Sequence, residues 1–272
     1  MEFLTILLSS VLALVSPVGL VTDQVLENSL RSRFNQVEQL QVRVDNAPSY
    51  QLIQGKIDRV RIAGRGLWVT PDVRIATLEI ETDPINVDLQ RIRQSGQNSP
   101  RESLRQPLQA GVRLALTAAD INKTLQSPAV TTRLRQVAGR FLGSSAERFD
   151  FLNPRVTFLG NNRIRFQMEV QEKDAQPIAL SLESGVSITN GHRLQLIEPT
   201  VSVNGNALPP ELVTGFIGGI SDRLDLRTME EAGITARILK LKIDPNELEV
   251  AIFVRVDALP NSKFKIHAFK PL

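Results

Sequence analysis

The chain has 272 residues, of which 42% are hydrophobic and 22% charged, with a net charge of +3. That is ample apolar material for a core under an ordinary charged surface, in one large β-rich domain or two smaller ones. There is no cysteine, which excludes disulfides, thiol nucleophiles and cysteine-ligated metals.

Residues 1–21 (MEFLTILLSSVLALVSPVGLV) form an apolar run interrupted by Pro17 and Gly19. The run approaches the ~20 residues that span a bilayer. Glu2 stands where a secretory signal carries Lys or Arg, and the best small residues, Ser16 and Gly19, flank Pro17, which makes a poor cleavage site. An uncleaved anchor or interfacial segment is therefore expected, with Phe3, Leu4, Leu7 and Leu8 touching the membrane. A cleaved signal and a helix packed on the domain are the alternatives. Residues 22–272 then make the main domain.

Val25, Leu26, Leu30, Phe34 and Val37 recur at helical spacing, and Thr22 and Asp23 suit a helix start, so an amphipathic helix is predicted over 22–37. From Leu40 the period falls to two: Leu40, Val42, Val44; Val60, Ile62; Val73, Ile75; Ile85, Val87, Leu89. This predicts strands with one apolar face. Gly55, Gly64, Gly66 and Pro71 are read as turns, which puts Leu67 and Trp68 at a sheet end. Glu79, Glu81 and Asp83 alternate on one strand, a pattern of solvated faces rather than of acid–base pairs.

Residues 91–107 are polar, with Gly96 and Pro100, and are expected to form a mobile loop. Val112, Leu114 and Leu116 return to strand alternation. Thr117 with Asp120 three residues on makes a short-armed capping box for one helix, and Ser127-Pro128 begins a second. That second helix has an apolar face of Val130, Leu134, Val137 and Phe141 and a basic one of Arg133, Arg135 and Arg140. Between Arg91 and Arg140 nine basic residues face two acidic ones, a block that favours anionic partners. Anionic head groups and nucleic acid both fit such a block, as does a solvated face with no partner. No aromatic residues interleave with the arginines as a nucleic-acid stacking platform needs, so no nucleic acid is expected.

From Phe149 to Val203 the alternation is cleanest. Ile164, Phe166, Met168 and Val170 are followed by Ile178, Leu180 and Leu182, then Val186, Ile188, Leu194, Leu196, Val201 and Val203. Turns at Asn161-Asn162 and Thr189-Asn190-Gly191 make this an antiparallel meander. A helix with three glycines is predicted within 206–220, with Phe216 and Ile217 beside any cavity mouth. Strands close the chain: Leu239, Leu241, Ile243, then Val250 to Val256, then Phe264 to Ala268. Two β-rich parts, 22–116 and 143–272, are thus joined by helices over 117–142.

The two histidines, His192 and His267, have no histidine or carboxylate nearby in sequence at ligand spacing. Neither a Gly-x-Ser-x-Gly elbow nor His-Glu-x-x-His occurs. No catalytic residue, metal site or cofactor is expected, and the chain is not read as an enzyme.

Four segments of the central stretch carry a resemblance: Pro48-Ser49 ahead of Leu52-Ile53-Gln54-Gly55; Val60 to Leu67 (VRIAGRGL); Leu78 to Thr82 (LEIET); and Ile85 to Asp88 (INVD). With Leu116 to Pro128 (LTAADINKTLQSP), they resemble the LmeA-like phospholipid-binding family. The resemblance implies an α+β, β-rich fold in which a curved antiparallel sheet wraps around amphipathic helices, similar to tubular lipid-binding folds. It also implies a membrane-associated protein that holds phospholipid in an apolar groove and binds or transfers it. Leu30, Phe34, Leu67, Trp68, Phe216 and Ile217 are the candidate lipid contacts. Arg133, Arg135 and Arg140 are the candidate contacts to anionic lipid at the membrane. The expected location is the extracytoplasmic side of an inner membrane. A non-catalytic scaffold of the cell envelope, its core filled, is the rival reading.

Overall fold

The computed structural model describes residues 23–47, 49–91, 100–132, 148–172, 175–213 and 225–258. Helix α1 (Asp23–Arg31) leads into β1 (Gln36–Asp45). The helix is shorter than predicted. The backbone N–H of Asn35 donates to the carbonyl of Trp68 at 2.7 Å, so sheet pairing captures the chain and Val37 becomes a strand residue. After a 3₁₀ turn (Ser49–Gln54) come β2 (Lys56–Ile57), β3 (Arg59–Thr70), β4 (Val73–Thr82), β5 (Ile85–Asn86) and β6 (Leu108–Thr117). Helix α2 (Ala118–Leu125) follows, then the meander β7 (Phe149–Gly160), β8 (Arg163–Glu172), β9 (Ile178–Thr189) and β10 (Arg193–Val203) with the short β11 (Asn206–Ala207). A 3₁₀ segment (Leu226–Ala232) precedes β12 (Ile234–Ile243) and β13 (Glu247–Val256).

Two open antiparallel sheets result. One has six strands in the order β1-β3-β4-β6-β13-β12, the other five in the order β11-β10-β9-β8-β7; β2 and β5 form a separate pair. The C-terminal pair returns to the first sheet: β13 pairs with β6 along its whole length, from Glu247↔Thr117 to Val256↔Leu108. The five-stranded sheet is thus inserted, in sequence, between neighbours of the six-stranded one.

Gly64 and Gly66 do not turn the chain, because β3 runs through both. Gly66 has φ +56°, and a side chain there would collide with the Glu38 carboxylate. Gly64 leaves space over which Leu67 folds. The hairpin turn is at Pro71-Asp72, as the proline indicates. The tips Asn161-Asn162 and Asn190-Gly191 all have positive φ, the backbone that two-residue hairpins require.

The core lies on one face of the six-stranded sheet. Cross-strand pairing aligns Val42, Ile62, Ile80, Val112, Ile252 and Ile238 in one row across all six strands. Leu30 of α1, Ile57, Ile85, Val87, Leu104 and Met229 pack into the same cluster. Leu104, near the end of the predicted loop, is buried there, and Arg101 fastens the segment by donating to the carbonyls of Ala232 and Asp257.

The meander hangs from edge strand β12 by its hairpin tips. Asn162 Oδ1 accepts from the Ile243 N–H at 2.8 Å, and Gly191 O accepts from the Ile238 N–H at 2.6 Å. At its other edge the Asn122 side chain of α2 pairs with both backbone groups of Val156, at 2.6 and 2.9 Å. Helix α2 therefore stands against both sheets, its start capped as predicted, with Thr117 Oγ1 accepting from the Asp120 N–H at 3.1 Å.

Candidate functional site

The five-stranded sheet presents a continuous apolar face. Val156, Phe166, Leu182 and Val201 stand directly opposite one another across four strands. Met168, Leu180 and Val203 form the next row, and Phe151, Val170 and Ile178 another. Ile188 and Leu194, with Val186 and Leu196, extend the face towards the β9–β10 tip. Of all these aligned side chains none is buried, and Ile178 is exposed; Phe158 and Ser184, in the row Phe158–Ile164–Ser184 close to β12, are buried on this face. Fully covering a side chain such as Leu182 or Phe166 is worth ~1.5–3 kcal/mol, so the face has a substantial capacity for further apolar cover. The opposite face is polar and self-neutralised. Glu183 accepts from Arg163 and Arg165 at 3.2 and 2.9 Å, and the two guanidinium groups hold its carboxyl below the ordinary range, Arg165 contributing most.

The solvent face of the six-stranded sheet carries a shallow groove of about 540 Å³. Ala63, Gly111 and Ala251 form its floor, and Arg43, Arg61, Glu79, Glu81 and Arg113 its walls. The charges in those walls are already committed. Arg113 bridges Glu79 at 3.2 Å and Glu249 at 3.3 Å, Arg59 meets Glu81 at 2.8 Å, and Arg61 binds Asp45. Hydrogen bonds from Arg113 first and Lys240 second lower the Glu249 carboxyl to about 2. A groove so balanced offers no unmatched charge to a ligand.

His192 has a carboxylate partner that lies far away in the sequence: its Nδ1 is 2.9 Å from Asp225 Oδ1. Arg227 grips the same aspartate, which is held well below the usual carboxylate range, chiefly by that arginine. The His192 carbonyl also accepts from the Leu226 N–H at 2.8 Å. The cluster fastens the β9–β10 tip to the segment before β12. Among the described residues no three His, Asp or Glu are grouped to hold a metal ion, and no helix is long and apolar enough to cross a membrane.

A model of LmeA-like phospholipid-binding proteins matches residues 15–253 of the chain. The chain belongs to that family. No curated protein and no solved structure matches it.

In this member of the LmeA-like family, the residues expected to touch lipid fall into separate places. Leu30 and Leu67 are buried in the core of the six-stranded sheet, and Phe34 packs against that core. Trp68 is half-buried, with the Arg74 guanidinium 4.9 Å above its ring. Arg74 in turn spans Asp120 and Glu38, both at 3.0 Å. This network ties α2 to β1 and β4. Phe216 and Ile217, the apolar Phe3, Leu4, Leu7 and Leu8, and the basic Arg133, Arg135 and Arg140 lie outside the described residues. The β7–β10 face was legible as alternation, but nothing in the alternation marks it as less covered than the other strands.

Proposed function

We propose that the protein holds the acyl chains of a membrane phospholipid against the apolar face of β7–β10, as a non-catalytic carrier or transfer protein. The family is the ground for phospholipid as ligand. The observation that carries the location is the rows Val156–Phe166–Leu182–Val201 and Met168–Leu180–Val203, aligned on one face and left half-buried. Each CH₂ of an acyl chain that leaves water there contributes ~0.8 kcal/mol. Binding is therefore driven by chain length, while the head group sets selectivity. Arg133, Arg135 and Arg140, with forked donors suited to phosphate, are the proposed contacts for anionic head groups. In this reading α1 and α2 are the helices around which a curved, tube-like sheet closes on its ligand. Residues 1–21 keep the protein at the membrane, on the extracytoplasmic side of an inner membrane.

Mass spectrometry of organic extracts from the purified full chain tests the proposal. Phospholipid in stoichiometric amount, depleted when Leu182 is replaced by Glu, is the expected result. Lipid-free extracts from protein purified without detergent would reject it and leave the scaffold reading.

A further inference from the structure

We infer that the 3₁₀ turn Ser49–Gln54 is a membrane-docking element. It sets Tyr50 and Ile53 into the interfacial layer of a phospholipid bilayer, so that the end of the six-stranded sheet where β1 finishes faces the membrane. Tyr50 is 61% exposed and Ile53 80%. A lone exposed isoleucine is ordinary, but three features set this pair apart.

The first is a shared direction on a rigid support. A 3₁₀ helix has three residues per turn, so positions i and i+3 eclipse; Tyr50 and Ile53 project together while Leu52 packs against the core. The turn is locked on both sides. The Ala47 N–H donates to Asp58 Oδ2 and the Asp58 N–H to Asn46 Oδ1, each at 3.0 Å. Beyond it the Gly55 N–H donates to Leu52 O at 3.0 Å, and the Val87 N–H to Gly55 O at 2.8 Å. Gly55 has φ +77°, and a side chain there would strike the Val87 carbonyl. The two apolar side chains are thus held outward.

The second feature is where the hydrophobic N-terminal segment arrives. Asp23, the first residue of α1, accepts from the Val44 N–H at 3.0 Å. Val44 is the penultimate residue of β1, and the turn follows directly. The apolar residues 1–21 therefore join the fold beside the end from which Tyr50 and Ile53 project.

The third is charge. Asp45 binds Arg43 and Arg61, Arg59 binds Glu81, and Asp88 lies between Arg91 and Arg105. These five arginines and three carboxylates leave a net +2, so the field draws anionic head groups to this end while apolar insertion makes the contact. A tyrosine suits it, with its ring in the apolar boundary and its hydroxyl wet. The inference rests on the reading above only in requiring the protein to work at a membrane; the docking turn and the acyl-chain face are different surfaces.

Because the chain has no cysteine, Ile53→Cys in the full chain gives a single site for an environment-sensitive fluorophore. Leu239→Cys, at a position 69% exposed on β12, is the reference. With vesicles of phosphatidylcholine, and of phosphatidylcholine with phosphatidylglycerol, the probe at 53 is expected to brighten severalfold, shift to the blue and be quenched by brominated acyl chains. The effect should be present in both vesicles and stronger with phosphatidylglycerol at low salt, with the probe at 239 unchanged. A probe at 53 that stays open to aqueous iodide, like the one at 239, overturns the inference. That result alongside phospholipid-rich extracts leaves the acyl-chain face standing. A bilayer-buried probe alongside lipid-free extracts does the reverse.

Discussion

In the six-stranded sheet, the row Val42–Ile62–Ile80–Val112–Ile252–Ile238 lies against the protein's own core, and four of its six side chains are buried. In the five-stranded sheet, the row Val156–Phe166–Leu182–Val201 is as regular and as apolar, yet none of its members is buried. Both rows arise from the same period of two. What separates them is cover. The first sheet receives Leu30 from α1, Leu104 from the segment before β6 and Met229 from the segment before β12. The meander is held at its margins instead, by Asn162 and Gly191 on β12 and by Asn122 on Val156. A sheet fastened by its rim keeps a face available, whereas one packed through its face does not.

Substitutions at matched positions test that difference, and the largest effect belongs to the filled side. Leu78 is fully buried, and Leu78→Ala is expected to cost ~2–5 kcal/mol by loss of transfer energy and creation of a cavity. Leu182→Ala should cost well under half of that and lower bound phospholipid instead. Equal losses in denaturant unfolding would show that the two faces are equally packed.

Enlarging side chains separates the sheets from the opposite direction. Leu30→Trp overpacks a closed site, with an expected cost of ~1–3 kcal/mol and a fall in Tm. Leu182→Trp should leave unfolding within about 0.5 kcal/mol of the parent, as open sites do, while reducing co-purified phospholipid. A Leu182→Trp protein that melts early and keeps its lipid would place the filled core in the wrong sheet.

The smallest expected effect is electrostatic and confined to the six-stranded sheet. Glu249 titrates at about 2 instead of its ordinary 4.5 because Arg113 and Lys240 bond to its ionised form. A lowered folded-state pKa stabilises above the unfolded value and loses that stabilisation as pH falls. Part of the protein's stability should therefore disappear between about pH 4.5 and 2. Glu249→Gln should flatten the profile there and cost on the order of 1 kcal/mol near neutrality. Parallel Tm-versus-pH curves for the two proteins would contradict this.

Strand periodicity, the capping box at Thr117 and the Asn-rich hairpin tips could all be read from the sequence, because each depends on residues that are neighbours in the chain. Two features could not. Gly64 and Gly66 look like turns, but Leu67 folds over Gly64 within the continuous strand β3, and Gly66 passes Glu38, a contact that exists only once β3 has paired with β1. His192 looked isolated because its partner, Asp225, is contributed by a distant segment. The candidate site failed to show for a related reason. Leu67 follows two glycines, a pattern that reads as a sheet end, yet it is fully buried in the core. The β7–β10 rows were visible as alternation, but how much of a strand face is covered is decided by which other segments fold over it, and no local pattern records that.

The central claim is that lipid lies on the β7–β10 face, and photo-crosslinking measures this most directly. The full chain is loaded with a phospholipid carrying a photoreactive group near the end of one acyl chain, irradiated and mapped by mass spectrometry. The account predicts adducts on residues of the apolar face of β8, β9 and β10 such as Phe166, Met168, Leu182 and Val201, lost when unlabelled phospholipid competes. Adducts confined to residues 1–21, or spread without preference over both faces of the sheet, would contradict it.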